Sequence, residues 1–135
     1  MQITLIFALM LHVLSGVFWA GTTFVLARTG GNQADLFLRP QMGAAAVAVV
    51  TGGVLWFLLH NAPLGLQGHI LAIGTLCALI AVALQGAMAL PALRKLSALN
   101  EVEGSRFRHR LATSQRIAAA FLVITVTCMA AARYA

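Results

Sequence analysis

Four long apolar stretches, separated by short polar segments, run along this chain of 135 residues. Each stretch approaches the roughly 20 residues that an α-helix needs to cross a hydrocarbon layer ~30 Å thick. Because backbone polar groups in lipid must bond within their own segment, each stretch predicts a membrane-spanning helix. The expected helices cover about residues 3–26, 42–60, 69–90 and 116–133, with a basic cytoplasmic loop over about residues 91–115.

The expected fold class is all-α, an integral membrane four-helix bundle with antiparallel up-down topology. The four helices use most of the chain, so residues 1–135 form a single membrane domain with no room for a separate soluble catalytic domain. Composition agrees, because 61% of the residues are hydrophobic and only 9% are charged. Such values lie far from those of soluble domains and predict contact with the lipid bilayer.

Basic residues are distributed unevenly between the two ends of the predicted helices. Only Arg133 lies at one end, whereas the others lie in the segments that join helix 1 to helix 2 and helix 3 to helix 4. Because cytoplasmic segments carry the excess of Lys and Arg, both termini are expected outside the cytoplasm of a bacterial-type inner (plasma) membrane. The net charge of +6 follows this membrane pattern, and no nucleic-acid partner is expected. The residues of the basic end are Arg28, Arg39, Arg94, Lys95, Arg106, Arg108, Arg110 and Arg116.

Each predicted helix carries one face of small or polar residues, and these four faces form the expected interior of the bundle. Small residues let helices approach closely in lipid, and polar ones bond across the interface. The third helix has the most regular face, from Gly74 to Ala89. The faces comprise His12, Ser15, Gly16, Trp19 and Thr23; Ala44, Ala48, Thr51 and Gly52; Gly74, Ala78, Ala81, Gln85 and Ala89; and Ser114, Ala118, Thr125, Cys128 and Ala132.

His12 is the strongest candidate for a functional residue, because an ionisable side chain is costly at membrane depth. It lies ~14 Å below the outer end of helix 1 at ~1.5 Å per residue, and Thr51 and Thr125 come out at nearly the same level. His12 is interpreted either as a haem ligand, metal ligand or proton relay, or as a neutral imidazole bonded to one of those hydroxyls. The residues expected near it are Ser15, Trp19, Thr51, Gln85, Thr125 and Cys128.

Two further histidines are weaker metal-binding candidates. His60 and His69 flank the loop between helices 2 and 3 and give a possible site on the outer surface, but two histidines without carboxylates are little evidence. Cys128 shares the polar face of helix 4 and raises copper binding together with His12. A buried cysteine is more often a small apolar filler.

The sequence assigns no catalytic residue. It carries no catalytic triad, phosphate-binding loop or paired carboxylates. Its three acids, Asp35, Glu101 and Glu103, all lie in predicted cytoplasmic segments. A proton-coupled transporter usually carries an acid within the membrane, so the small multidrug-transporter class is not expected.

Leu11 and His12, followed by Trp19 and Gly21, open this four-helix chain, and a basic segment precedes its last helix. In this layout the chain resembles a membrane superfamily that contains the bacterial oxygen-independent protoporphyrinogen oxidase and the copper resistance protein D domain. The resemblance covers the helix layout of the whole chain, but in motif only the first helix. It implies that His12 is linked to haem binding, with Trp19 as its motif partner.

Two segments depart from the pattern of the oxidase family. Residues 68–71 read Gly-His-Ile-Leu, where that family has a His-x-Lys pattern at the start of the third helix. Residues 114–116 read Ser-Gln-Arg, where that family has an Asn-Glu-x-Pro-like stretch. Protoporphyrinogen oxidation is therefore not carried over to this chain, and copper transport lacks a Met-rich or His-rich tract.

Two hypotheses from different classes follow. In the first, the chain is a haem-b- or porphyrin-associated membrane protein with a redox or haem-handling role, and His12 is the ligand. This hypothesis predicts an apolar cavity at the depth of His12. In the second, it is a cofactor-free accessory or scaffold subunit of a larger membrane complex, or a homo-oligomer, which predicts a closely packed bundle. Copper binding or transport is a third option.

Overall fold

The computed structural model describes residues 2–59, 65–95 and 98–135, and its regular structure in these ranges is entirely helical. All four helices are long and apolar enough to cross a membrane. The chain is therefore an all-helical, multi-pass type of protein, as the hydropathy pattern predicts. The helices are α1 (Gln2–Arg28), α2 (Ala34–Leu59), α3 (Leu66–Lys95) and α4 (Glu101–Ala132).

The outer surface of the helices is apolar, and much of the interior is polar. Large apolar side chains such as Val17 and Phe57 are 68% and 78% exposed, whereas Gln41, Gln85 and Gln115 have no exposed surface. This is the reverse of a soluble bundle, and it is the arrangement expected where lipid tails rather than water surround the outer surface. The exterior is thus compatible with contact with a lipid bilayer.

The helices pack as a ring in which α1 contacts α2 and α4, and α3 contacts α4 and α2. Two clusters of buried residues fill its interior, and both consist mainly of alanine and leucine. This confirms most of the predicted small-residue faces, since Ala48, Ala81 and Ala118 are at most 4% exposed. The clusters are Trp19, Ala45, Ala48, Ala81, Ala118 and Leu122, and Leu26, Ala34, Leu38, Ala89, Ala92 and Leu111.

Helix α4 begins at Glu101, far before the position expected near residue 116, so most of the predicted basic loop is helix. The side chain of Asn100 caps this helix by accepting a hydrogen bond from the backbone N–H of Glu103 at 2.9 Å. Leu111 and Ala112 are buried against the other helices and hold this extension in place. Helix α3 likewise continues past Pro91 to Lys95.

Helix α2 begins at Ala34, earlier than the predicted start near residue 42, and Pro40 lies inside it. The preceding turn is fixed by two glycines with positive φ, Gly30 at 64° and Gly31 at 78°. The Gly31 N–H donates to the carbonyl of Leu26 at 3.2 Å, the six-to-one bond of a Schellman helix end. Because glycine adopts positive φ without steric cost, α1 can end at Arg28 and α2 can begin six residues later at Ala34.

Candidate functional site around His12

His12 lies on α1, half-buried against α2. Its Nδ1 lies 2.9 Å from the carbonyl oxygen of Ala48 and 3.2 Å from Oγ1 of Thr51. The Thr51 hydroxyl donates its own hydrogen to the carbonyl of Val47 at 2.7 Å. A carbonyl oxygen can only accept, so Nδ1 carries the proton and donates to both groups. In the neutral ring Nε2 then holds the lone pair.

The imidazole of His12 rests against the backbone of α2 at Gly52. A Cβ atom at position 52 would lie 3.0 Å from Cε1 of His12 and 3.4 Å from its Nδ1. Such distances are closer than ordinary van der Waals contact, so a side chain at this position would displace the ring. Glycine therefore lets the ring approach the helix closely enough to bond with Ala48.

The outer side of α1 and α2 is open beside Thr51, the partner of His12, and His12 itself does not line this space. An apolar groove of about 440 Å³ runs there, and Thr51 contributes to both the groove and the hydrogen bond of His12. On the inner side Ser15 and Ala48 are buried and fill the space between the helices. The groove is lined by Thr4, Phe7, Ala8, Met10, Leu11, Leu14, Thr51 and Val54.

The structure distributes the predicted neighbours of His12 over separate places. Of the two hydroxyls expected at its level, Thr51 reaches it, whereas Thr125 donates to the carbonyl of Gly74 on α3 at 3.0 Å. Cys128 lies against the same glycine, because a Cβ at position 74 would meet its Cβ at 3.0 Å. Ser15 donates to the carbonyl of its own helix at Leu11. Of the neighbours predicted for His12, the described structure thus gives Thr51 a hydrogen bond with the imidazole.

Trp19 and Gln85, two other predicted neighbours, instead belong to a buried polar cluster that joins all four helices. The indole Nε1 of Trp19 donates to Oε1 of Gln85 at 2.6 Å. This bond orients the Gln85 amide so that its Nε2 donates to Thr23 and to Gln115, each at 2.9 Å. We call Trp19, Thr23, Gln41, Gln85 and Gln115 the glutamine network.

Gln41 on α2 completes the glutamine network. Its Nε2 donates to Oγ1 of Thr23 at 2.9 Å and to Oε1 of Gln115 at 3.0 Å, and Gln115 donates back to Gln41 at 3.3 Å. The Thr23 hydroxyl accepts from both amides and donates to the carbonyl of Trp19 at 2.7 Å. Since these groups satisfy one another, the network stabilises the bundle rather than presenting donors to a ligand.

Gln41 and Gln115 were missed by the sequence prediction. Both lie just outside the helix limits expected from hydropathy, which began near residues 42 and 116. The signal that would have found them is one glutamine on each of α2 and α4, matching Gln85 on α3, since one amide per helix can bond around a ring.

The metal-site candidates receive little geometric support in the part of the chain that the structure describes. Within it, no three His, Cys, Asp or Glu residues lie together as a metal site. His69 is exposed, and its Nδ1 lies 2.9 Å from the carbonyl of Gly65. His60 lies outside the described residues. Cys128 contacts α3 while His12 contacts α2, so the structure does not bring these two together.

Comparison with known proteins adds no relative. No family model matches the chain, and no curated protein or solved structure matches it significantly. The family resemblance therefore rests on the first-helix residues Leu11, His12, Trp19 and Gly21 and on the four-helix layout.

Proposed function

We propose that this chain is an antiparallel up-down bundle in a bacterial-type plasma membrane, with both termini outside the cytoplasm. Two hydrogen bonds between α3 and α4 support the topology, from Ser114 to Leu84 and from Thr125 to Gly74. Residue numbers rise along α4 as they fall along α3, which is the pattern of antiparallel neighbours. The orientation follows from the basic residues at one end.

Within this bundle, the proposed function is association with haem b or a related porphyrin through Nε2 of His12, in a redox or haem-handling role. The observation that carries the proposal is the fixed imidazole, whose Nδ1 bonds with Ala48 and Thr51. Histidines that ligate metals usually donate their other ring N–H to a carbonyl or carboxylate, which fixes the ring and its tautomer. No described residue makes a hydrogen bond with Nε2 of His12.

The residues present fit a group that takes one protein ligand and an apolar surface. The apolar groove offers that surface, and it includes Thr51, which bonds with His12. Gly52 allows the ring to sit against α2, and the carbonyl of Ala48 holds its orientation. A bound haem would supply one-electron chemistry, with a potential set by its ligand and by burial.

The experiment is a visible absorption spectrum of the detergent-purified protein from haem-replete cells, oxidised and then reduced with dithionite. The wild type is expected to show a Soret band that sharpens on reduction, and His12→Ala is expected to lose it. His69→Ala is the matched control, because His69 is exposed and its Nδ1 lies 2.9 Å from the carbonyl of Gly65, away from α1 and α2. A colourless wild type, or a band that survives in His12→Ala, contradicts the proposal.

A second candidate, a cofactor-free subunit of a larger membrane complex, is favoured by one specific observation. The exposed face of α2 carries the small residues Gly43, Ala46 and Gly53, and nothing lies within 4 Å of a Cβ built on either glycine. Such faces allow a further helix to approach closely in lipid. For this candidate we expect a colourless protein that co-purifies in mild detergent with one partner in fixed stoichiometry.

A further inference from the structure

A second groove lies on the lipid-facing side of α4, away from His12. Its volume is about 330 Å³, and five residues of α4 line it. Their spacing of i, i+1, i+4, i+5 and i+8 places them on one helix face. The groove has a charged residue at its first position and apolar residues along the rest: Arg116, Ile117, Ala120, Phe121 and Ile124.

Arg116 is held at the end of this groove by α1. Its Nε donates to the carbonyl oxygen of Ala27 at 3.2 Å, in the last turn of α1. Because this acceptor is uncharged, it does not neutralise the guanidinium. The other N–H groups of the guanidinium take no part in this bond. Arg116 is exposed, and so is Arg28, the residue that follows Ala27. The groove therefore begins at a positively charged point at the basic end of the bundle.

We propose that this groove binds one anionic phospholipid, with the headgroup phosphate on Arg116 and an acyl chain along the apolar residues up to Ile124. A guanidinium matches phosphate oxygens by charge and by bidentate geometry. From Arg116 to Ile124 the helix rises ~12 Å. That is most of one leaflet, since the hydrocarbon core of ~30 Å divides into two leaflets of ~15 Å.

Charge complementarity selects an anionic lipid over a zwitterionic one. The end of the bundle near Arg116 carries eight of the nine Lys and Arg residues of the chain, so a headgroup with net negative charge is attracted more strongly. The apolar length of the groove selects a lipid over a free anion, because a soluble phosphate would leave Ile117 and Ile124, each 46% exposed, uncovered. This inference is independent of His12.

The charge part of the site is tested by native mass spectrometry of the detergent-purified protein with added phosphatidylglycerol or phosphatidylcholine of the same chains. The wild type is expected to retain phosphatidylglycerol preferentially. Arg116→Gln is expected to weaken this binding about fivefold. Arg39→Gln removes the same charge from an exposed position on α2 and is expected to leave binding nearly unchanged. Equal weakening by both variants would overturn the proposal in favour of diffuse attraction.

The apolar part of the site is tested without any change of charge. Ala120→Phe fills the groove at an exposed position, so the interior of the bundle is untouched. It is expected to weaken phosphatidylglycerol binding severalfold. Ala130→Phe makes the same change at an exposed position of α4 outside the groove and is expected to have no effect. Unchanged binding in Ala120→Phe would overturn the proposal, whatever the effect of Arg116→Gln on folding.

Discussion

Replacing Gln115 by leucine tests whether the glutamine network stabilises the bundle. Leucine is close to glutamine in size, so the change removes hydrogen bonds while leaving little empty space. Gln115 takes part in three bonds, accepting from Gln41 and Gln85 and donating to Gln41. All three glutamines have no exposed surface, so water does not replace the lost partner.

The expected loss of unfolding free energy depends on which hydrogen bonds the neighbours of Gln115 lose. After Gln115→Leu, the amide nitrogens of Gln41 and Gln85 both keep their bond with Thr23, so neither is left without an acceptor. Hydrogen bonds between membrane helices average about 0.6 kcal/mol, so three of them give about 2 kcal/mol of lost unfolding free energy. The amide oxygen of Gln41 loses its donor Gln115, so the cost of about 1–3 kcal/mol for an unsatisfied buried group adds to this figure.

A double-mutant cycle with Gln41→Leu tests whether Gln41 and Gln115 stabilise the bundle through their bonds with each other. Gln41 also takes part in three bonds, and two of them are the reciprocal pair with Gln115. From the lost bonds alone, each single variant is therefore expected to lose about 1.8 kcal/mol, and the double variant, which loses four bonds, about 2.4 kcal/mol. The two shared bonds give a coupling of about 1.2 kcal/mol, within the range for residues in direct contact, and the amide group that each single variant leaves unpaired adds to it.

The assay is reversible unfolding in mixed micelles with increasing dodecyl sulfate, followed by tryptophan fluorescence and circular dichroism. Gln67→Leu is the matched control, because Gln67 is an exposed glutamine on α3. It is expected to change the unfolding free energy by less than about 0.5 kcal/mol. The reasoning is refuted if Gln115→Leu matches this control, or if the two glutamine substitutions in the network prove additive.

Two glycine positions give further predictions, each with a neighbouring glycine as control. Gly31→Ala is expected to lose about 2 kcal/mol in the same unfolding assay, because φ is 78° and its Cβ would lie 3.0 Å from a backbone oxygen of α4. Gly30→Ala has the positive φ without that contact and should lose less. Gly52→Ala is expected to lose about 1 kcal/mol by displacing His12, whereas Gly53→Ala, with nothing within 4 Å, should be neutral or stabilising. Equal effects within either pair would contradict the contact argument.

The sequence predicts the number of helices correctly because crossing lipid imposes a length and an apolar composition that are visible without a structure. It fails on the start of α4, since hydropathy reports contact with lipid, whereas a helix also forms from charged residues in water. The missed signal is local: Asn100 followed three residues later by Glu103 resembles a capping box.

The same boundary error explains what was missed in the interior. Counting depth along the helices correctly brings Thr51 to His12, because both lie well inside predicted helices. Gln41 and Gln115 lie just outside the predicted helix limits, so the sequence analysis places neither on an interior face. Which residue Gln85 bonds with depends on how far the helices slide past one another, and helix periodicity alone does not determine that offset.

The glutamine network also bears on the order in which the bundle is completed during synthesis, since helices enter the membrane from the N-terminus onward. Once α1 and α2 are in place, Gln41 already has the hydroxyl of Thr23 as a partner. Helix α3 then brings Gln85 to Thr23 and to the indole of Trp19. Helix α4 comes last, and Gln115 meets two amides that arrived before it. Each newly inserted helix thus meets a polar partner on a helix that is already in place. No glutamine of the network therefore has to remain without a hydrogen-bond partner in lipid.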